Sequence, residues 1–180
     1  MISSPFSTGP IELGGGSRQS AWPQDHPRLE PLEPDACPRL AAAIVAMEPW
    51  SVMNYPAEAL AALLASRDAG ASRHVIRVGT REAGVVSVRF PWLKGPYLEL
   101  LALLPAAQNQ GIGSSILAWL ERTAIDFDAR NLWVCASAFN VRALQFYERK
   151  GFRRTAILPG LVAEGYEEIL LRKHPLGPPR

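Results

Sequence analysis

Cysteine is scarce in this 180-residue sequence: Cys37 and Cys135 stand far apart, without metal-ligand spacing. A disulfide framework and a zinc site are therefore not expected, and a reducing, cytoplasmic setting is the simplest home. Long apolar runs are missing too. The longest, Leu40 to Met47, has eight residues, against roughly 18 needed to cross a bilayer, so no membrane span is expected. Residues 1–17 hold no Lys or Arg, so no signal peptide is expected there. No charge of one sign dominates: 19 Lys and Arg face 17 Asp and Glu, a net charge of +2, too balanced for a nucleic-acid binder. Histidine is reduced to His26, His74 and His174, which are dispersed, and no G-x-S-x-G occurs, so hydrolase chemistry of the nucleophile-elbow kind is excluded. What remains is the composition of an ordinary folded domain, 48% hydrophobic with a mean hydropathy of +0.01.

Proline marks the edges of the folded part, because it removes a backbone donor and fixes φ. Seven of the 16 prolines fall in residues 1–38 and three in the last six residues, leaving six between Arg39 and His174. We expect one domain over residues 29–174, a mobile arm over 1–28 and a short tail over 175–180. The arm is rich in Gly, Ser and Pro, and offers too little apolar surface to offset its chain entropy.

Inside the domain, strand and helix periods alternate. A short strand at 29–33 leads to a helix near 36–47, and a second helix follows Pro56 and stops near Gly70. Three β-like runs, 74–78, 84–90 and 97–104, are separated by turn residues and read as an antiparallel meander. A long helix from Gly113 to about Ala129 has Ile116, Leu117, Leu120, Ala124 and Phe127 on one stripe. A strand at 132–136 follows, then a helix with Asn140 as N-cap and Gly151 in the left-handed position after it. Strands near 152–158 and 166–172 complete the order β-α-α-β-β-β-α-β-α-β-β, an α/β (α+β) fold of about seven strands and four helices.

The most informative stretch is Leu103 to Gly113, which leaves a strand and enters a helix. Gly111 and Gly113 lack a Cβ, so an anion can approach the backbone where free N–H groups and the helix dipole point at it. The spacing matches neither a P-loop nor a dinucleotide fingerprint. A second segment, Asn140 to Phe152, begins just past a strand.

Together these segments resemble the GNAT superfamily of acyl-CoA-dependent N-acyltransferases. The cofactor motif V-x-P-x-x-Q/R-x-x-G-x-G/A is met by Leu103, Pro105, Gln108, Gly111 and Gly113. The motif N-x-x-A-x-x-F/L-Y-x-x-x-G-F is met by Asn140, Ala143, Phe146, Tyr147, Gly151 and Phe152. The resemblance covers roughly residues 29–172 and implies a central, mostly antiparallel twisted sheet with acetyl-CoA as co-substrate, no metal, and an amine acceptor. It implies that acetyl-CoA lies where the strand at 97–104 splays from that at 132–136. The backbone of Leu101 and Leu103 and the side chain of Asn140 would hold the pantetheine arm. The loop Gln108, Asn109, Gln110, Gly111, Ile112, Gly113 and Ser114 would meet the pyrophosphate, with Ala143 and Tyr147 nearby. That loop is neutral where many relatives carry Arg or Lys, so positive charge is expected from Arg142, Arg149 and Lys150.

Tyr147 matches the family's general acid. Glu99, the one acid in the run 97–104, is expected as a base or a rim carboxylate; it shares strand parity with Leu101 and Leu103 unless a bulge shifts the phase. Cys135 is expected to be an inert thiol. Acceptor walls are expected from 50–55, 91–96 and 160–165, including Trp50, Tyr55, Trp92 and Glu164. The acceptor is expected to be a small-molecule primary amine. A protein N-terminus is the alternative, because Met47 to Ser51 resembles the Trp-Ser turn of ribosomal-protein alanine acetyltransferases; a non-catalytic acyl-CoA-binding regulatory module is a third reading. A homodimer is left open.

Overall fold

The computed structural model describes residues 5–6, 9–13 and 26–176. Its strands are β1 (Ile11–Glu12), β2 (Pro27–Pro31), β3 (Ala71–Val78), β4 (Arg81–Trp92), β5 (Gly95–Leu103), β6 (Leu132–Ser137), β7 (Arg153–Pro159) and β8 (Glu167–Lys173). The helices are α1 (Cys37–Val45), α2 (Ala57–Ala65), α3 (Ile112–Asp126) and α4 (Val141–Arg149). One sheet runs in the order β1-β2-β3-β4-β5-β6-β8-β7. Among the described residues only the β5–β6 pair is parallel.

Helices cover both faces of the sheet. Leu40, Ile44, Leu60 and Leu64 of α1 and α2 pack on Val75, Val85, Leu100 and Ala102. Ile116, Leu117, Leu120 and Leu144 of α3 and α4 pack on Leu98, Val134, Ile169 and Leu171. The expected element order holds, with the two-residue β1 added.

Two local features decide where the sheet opens. The β4–β5 turn is only Leu93-Lys94, both at positive φ (43° and 61°), between the paired Trp92 and Gly95; this is the twist a two-residue hairpin requires. A Cβ on Gly95 would lie 2.1 Å from the Asn131 carbonyl oxygen, so only glycine lets the start of β6 come this close. Asn131 Nδ2 and Trp133 Nε1 then donate to the carbonyls of Lys94 and Leu93 (3.1 and 3.2 Å). β5 and β6 are thereby joined at one end, where the pairs Tyr97–Trp133 and Leu98–Val134 form, and they part beyond it.

Three expectations change. Phe127 is 50% exposed, because it is the C-cap at which the chain leaves α3; Trp119 takes the buried place instead. The N-terminal stretch contributes to the core: Phe6 is 1% exposed and lies edge-on to Phe90 and Trp119, with ring centroids 5.8 and 5.6 Å apart, while Leu13 is also buried. Residues 1–4, 7–8 and 14–25 of the expected arm, and residues 177–180 of the tail, lie outside the described residues. Leu176 is buried as well, two residues past the expected domain edge.

Candidate active site

Where β5 and β6 part, a cleft of about 520 Å³ passes through the sheet. One wall is the free edge of β5. Leu104 N–H donates to Ala83 O at 2.8 Å, so by the alternation of an antiparallel ladder Leu101 and Leu103 turn their backbone groups away from β4, toward the cleft. The Leu103 carbonyl also accepts from Gln108 Nε2 at 3.0 Å, which ties the glycine loop to the strand.

That loop delivers α3 to the end of the cleft. The first helical bond runs from Ser115 N–H to Gly111 O (3.1 Å), so the N–H groups of Ile112, Gly113 and Ser114 have no partner within the helix. The two glycines serve different ends, which the sequence reading had merged. Gly111 sits at φ 79° with nothing within 4 Å of a built Cβ, so it supplies a left-handed turn facing open space. A Cβ on Gly113 would lie 3.3 Å from Phe146 Cζ, so that glycine serves the packing of α3 on α4. Gln108, Asn109, Gly111, Ile112, Gly113 and Ser114 all line the cleft. Gln110 does not: its amide donates to Ala106 O at 2.6 Å. Of the expected cations, Arg142 and Arg149 line the cleft and Lys150 does not. Arg142 Nη2 donates to Asn109 Oδ1 at 2.5 Å, which places its charge beside the loop.

α4 brings the second motif to the same place. Asn140 Oδ1 accepts from Ala143 N–H at 3.1 Å, an N-cap that fixes the start of the helix. Two turns on, Tyr147 is 7% exposed, with its ring edge-on to Phe152 at 5.6 Å. Its hydroxyl makes no hydrogen bond among the described residues, and the residue lines the cleft with Asn140 and Ala143. Burial pushes the phenol's pKa above its ordinary 10, so Tyr147 holds its proton.

Glu99 lies at the bulge. Ser87 pairs with Leu100 and Val88 with Leu98, so Glu99 is the extra residue of β5. The bulge turns its side chain to the α1–α2 side, away from the face of Leu101 and Leu103; strand parity is overturned as a guide. Its oxygens are engaged: Ser87 Oγ donates at 2.7 Å to one, Arg89 Nε and Nη2 at 3.1 and 2.9 Å to the other. Arg73 Nη2 stands 3.9 Å away, and Arg89 also reaches Asp68 at 2.8 Å.

A carboxylate that the sequence reading missed stands across the cleft. Glu168, at the start of β8, is 4% exposed and directly opposite Ser137, whose Oγ donates to its Oε1 at 2.6 Å. Burial pushes its pKa above the ordinary 4.5, and the Ser137 bond offsets this only in part. No motif marks it; the one available signal was an acid in register with Leu170 at the edge of an apolar run. Met53, 3.9 Å from Ser137 Oγ, and Trp50 wall this end of the cleft.

The other expected acceptor walls divide. Val162 lines the cleft, Trp92 stacks on Tyr97 at 4.7 Å instead, and Tyr55 packs against the α1–α2 core. Tyr166 Oη donates to Val52 O at 2.9 Å and so ties the loop after α1 to the β7–β8 loop. Cys135 lies beside the Tyr97 phenol, and burial raises the pKa of its thiol. Among the described residues no His, Cys, Asp or Glu group could hold a metal ion, and no helix is long and apolar enough to cross a membrane.

Comparison with known proteins agrees with this geometry. The uncharacterised protein YdhI of Bacillus subtilis (strain 168) is 27% identical over 70 residues, 39% of this chain and 44% of that protein, so the match spans less than half of that curated relative. Among solved structures, the ribosomal-protein-S18-alanine N-acetyltransferase from Escherichia coli is similar with a TM-score of 0.65 and 18% identity, over 86% of this chain and 96% of that one. A protein assigned as a streptothricin acetyltransferase from Bacillus anthracis str. Ames, in complex with acetyl coenzyme A, has a TM-score of 0.53 and 16% identity, over 60% of this chain and 64% of that one. These structural likenesses concern the fold. The acetyltransferase (GNAT) family matches residues 37–152, a span that takes in the splayed strands, the glycine loop and α4, and the chain belongs to that family.

Proposed function

We propose that this protein is an acyl-CoA N-acetyltransferase that moves the acetyl group of acetyl-CoA to a primary amine of a small molecule. One observation carries the reading: the free edge of β5 runs into the N-terminus of α3, and Tyr147 lines the same cleft. An extended amide-bearing arm can pair with the backbone of Leu101 and Leu103 as another strand would. The N–H groups of Ile112 to Ser114, the helix dipole and the cations Arg142 and Arg149 suit a pyrophosphate. The Asn140 amide nitrogen, unused by the cap, is available to the same arm. Bound there, acetyl-CoA supplies an acyl thioester.

The chain's part is orientation and proton handling. Tyr147 keeps a proton on Oη within the cleft and can donate it to a departing thiolate. Glu99 holds the bulge through Ser87 and Arg89 and rims the acceptor side. Trp50, Met53 and Val162 form the far wall, and the Tyr166–Val52 bridge ties together the two loops that flank it, which favours a short acceptor. Transfer to a protein N-terminus is the second reading, because Glu48, Pro49 and Trp50 line the cleft from the segment that resembles the Trp-Ser turn.

The test is a thermal-shift and turnover screen. CoA and acetyl-CoA should raise the melting temperature by mass action. Acetyl-CoA should be consumed with members of a panel of amino acids, polyamines, aminoglycosides and alanyl peptides. No shift with millimolar CoA would sink the reading; turnover with alanyl peptides alone would move it to the protein N-terminus.

A further inference from the structure

We propose that Glu168 is the catalytic carboxylate of the acceptor site: it receives the acceptor as an ammonium ion and takes its proton. This rests on the acetyltransferase reading above and adds the charge of the acceptor and the residue that frees its nitrogen.

Two carboxylates, Glu99 and Glu168, line the cleft from the sheet. Glu99 is already matched, by Arg89 at 2.9 Å and by the Arg73 guanidinium at 3.9 Å. Among the described residues no cation pairs with Glu168. Its one hydrogen bond among the described residues comes from Ser137, to Oε1, which leaves Oε2 to the cleft that the residue lines. A carboxylate 4% exposed without a counter-charge is costly for a fold. The cost is removed when a ligand brings the positive charge.

The surroundings fit that ligand. The groups facing Glu168 are Tyr97 from β5 and Cys135 from β6, with Tyr147 of α4 beyond Cys135, and all three are neutral hydroxyl or thiol groups whose pKa values burial raises. Glu48 from the loop after α1 lines the same cleft and adds negative charge, whereas Arg149 lines it from the last turn of α4. Trp50 and Met53 supply an aromatic face and a soft apolar wall, which suit an alkylammonium. The balance of the step is simple. An N–H bond of the ammonium breaks, an O–H bond forms at Glu168 Oε2, the electron pair stays on nitrogen, and the proton later leaves to water. Burial brings the carboxyl closer to neutral pH, which is what a base acting on an amine needs.

Three probes test it: phenethylamine, putrescine and alaninamide, each bound to the CoA complex in calorimetry beside its neutral hydroxyl analogue. At least one cation should bind the wild type at least tenfold better than its analogue, and Glu168→Gln should erase that preference while keeping the CoA-induced melting shift. For an amine that is turned over, Glu168→Gln should lower kcat/KM about 10²- to 10³-fold and remove the acidic limb of its pH profile, and Glu168→Asp should restore part of both. Ser137→Ala gives a second variant; it leaves the carboxylate in place and should shift the limb upward. The proposal is overturned if no cation is preferred by the wild type, or if Glu168→Gln keeps the preference and the acidic limb. Loss of the CoA shift in the wild type would fail the acetyltransferase reading instead, and so the two failures are separable.

Discussion

Arg89 grips Glu99 with two nitrogens, Nε at 3.1 Å and Nη2 at 2.9 Å, at the residue where β5 bulges. The pair fixes the point at which the strand changes face, so that Leu98 packs under α3 while Leu100 packs under α1 and α2. Removing the charge takes the one nearby carboxylate from Arg73, whose Nε and Nη2 are buried without a hydrogen bond, while Arg89 keeps Asp68. Glu99→Gln is expected to cost on the order of 2 kcal/mol, read as a lower denaturant midpoint with an unchanged m-value. Wild-type stability in that variant would mean that the grip does not hold the bulge.

Gly111 and Gly113 give a contrast within one loop. Gly111→Ala forces a Cβ into a left-handed residue, at a cost of about 1 kcal/mol, and points it into the open space before the N–H groups of α3. The CoA-induced melting shift should be lost while the apo melting temperature falls by only about 3 °C. Gly113→Ala should do the reverse, lowering apo stability by pressing on Phe146 at 3.3 Å and weakening CoA binding less. Equal loss of the shift in both variants would put the phosphate contact elsewhere on the loop.

Phe6 tests how far the folded unit reaches. It meets Phe90 and Trp119 edge-on and is 1% exposed. Phe6→Ala should cost about 3 kcal/mol, on the order of 8 °C in Tm for a domain this size. A loss below 1 kcal/mol would return the N-terminal stretch to the role of a loose arm.

These residues also mark what could be read from the chain. Helices and strands were legible because the apolar periods of α3, α4 and the β3–β5 meander are regular. Gly111 and Asn140 were legible because a left-handed turn and an N-cap each demand a particular side chain. Phe6 was not, since a single aromatic among Pro, Gly and Ser has no period. The face of Glu99 was not, because one extra residue in a strand reverses parity without altering composition. Phe127 was misjudged because the stripe continues in sequence past the point where the helix ends. Glu168 was hidden for a different reason: its meaning comes from Ser137, 31 residues earlier, and from the cleft that only the splayed sheet creates.

Tyr147→Phe keeps the ring against Phe152 and removes only the hydroxyl. CoA binding should survive, and kcat should fall on the order of 10- to 100-fold, the low end for acid catalysis because a thiolate leaves well unaided. Burial holds the phenol's pKa above its ordinary 10, so the wild-type kcat should show no basic limb from this group between pH 7 and about 10. A basic limb in that range that disappears in Tyr147→Phe would contradict a proton held this firmly.

The last prediction turns the burial of Glu168 into a stability measurement. Its folded pKa is raised above the ordinary 4.5, with burial as the main cause and the Ser137 bond opposing it. Between those two values the folded state binds the proton that the unfolded state has released, so stability falls as pH rises through that window. Below pH 4.5 both states carry the proton and nothing is lost; above the folded value the full cost of a buried, uncompensated carboxylate is present. Glu168→Gln carries a neutral amide of the same shape and has no such dependence. The variant should therefore be more stable than the wild type at pH 7, and the difference should shrink to near zero at pH 4, in denaturant titrations at fixed ionic strength. An acceptor cation should narrow the gap at pH 7 by stabilising only the wild type. A variant less stable than the wild type at pH 7, or a difference that does not change with pH, would show that the carboxylate is satisfied within the fold and that its charge is not held in reserve for a ligand.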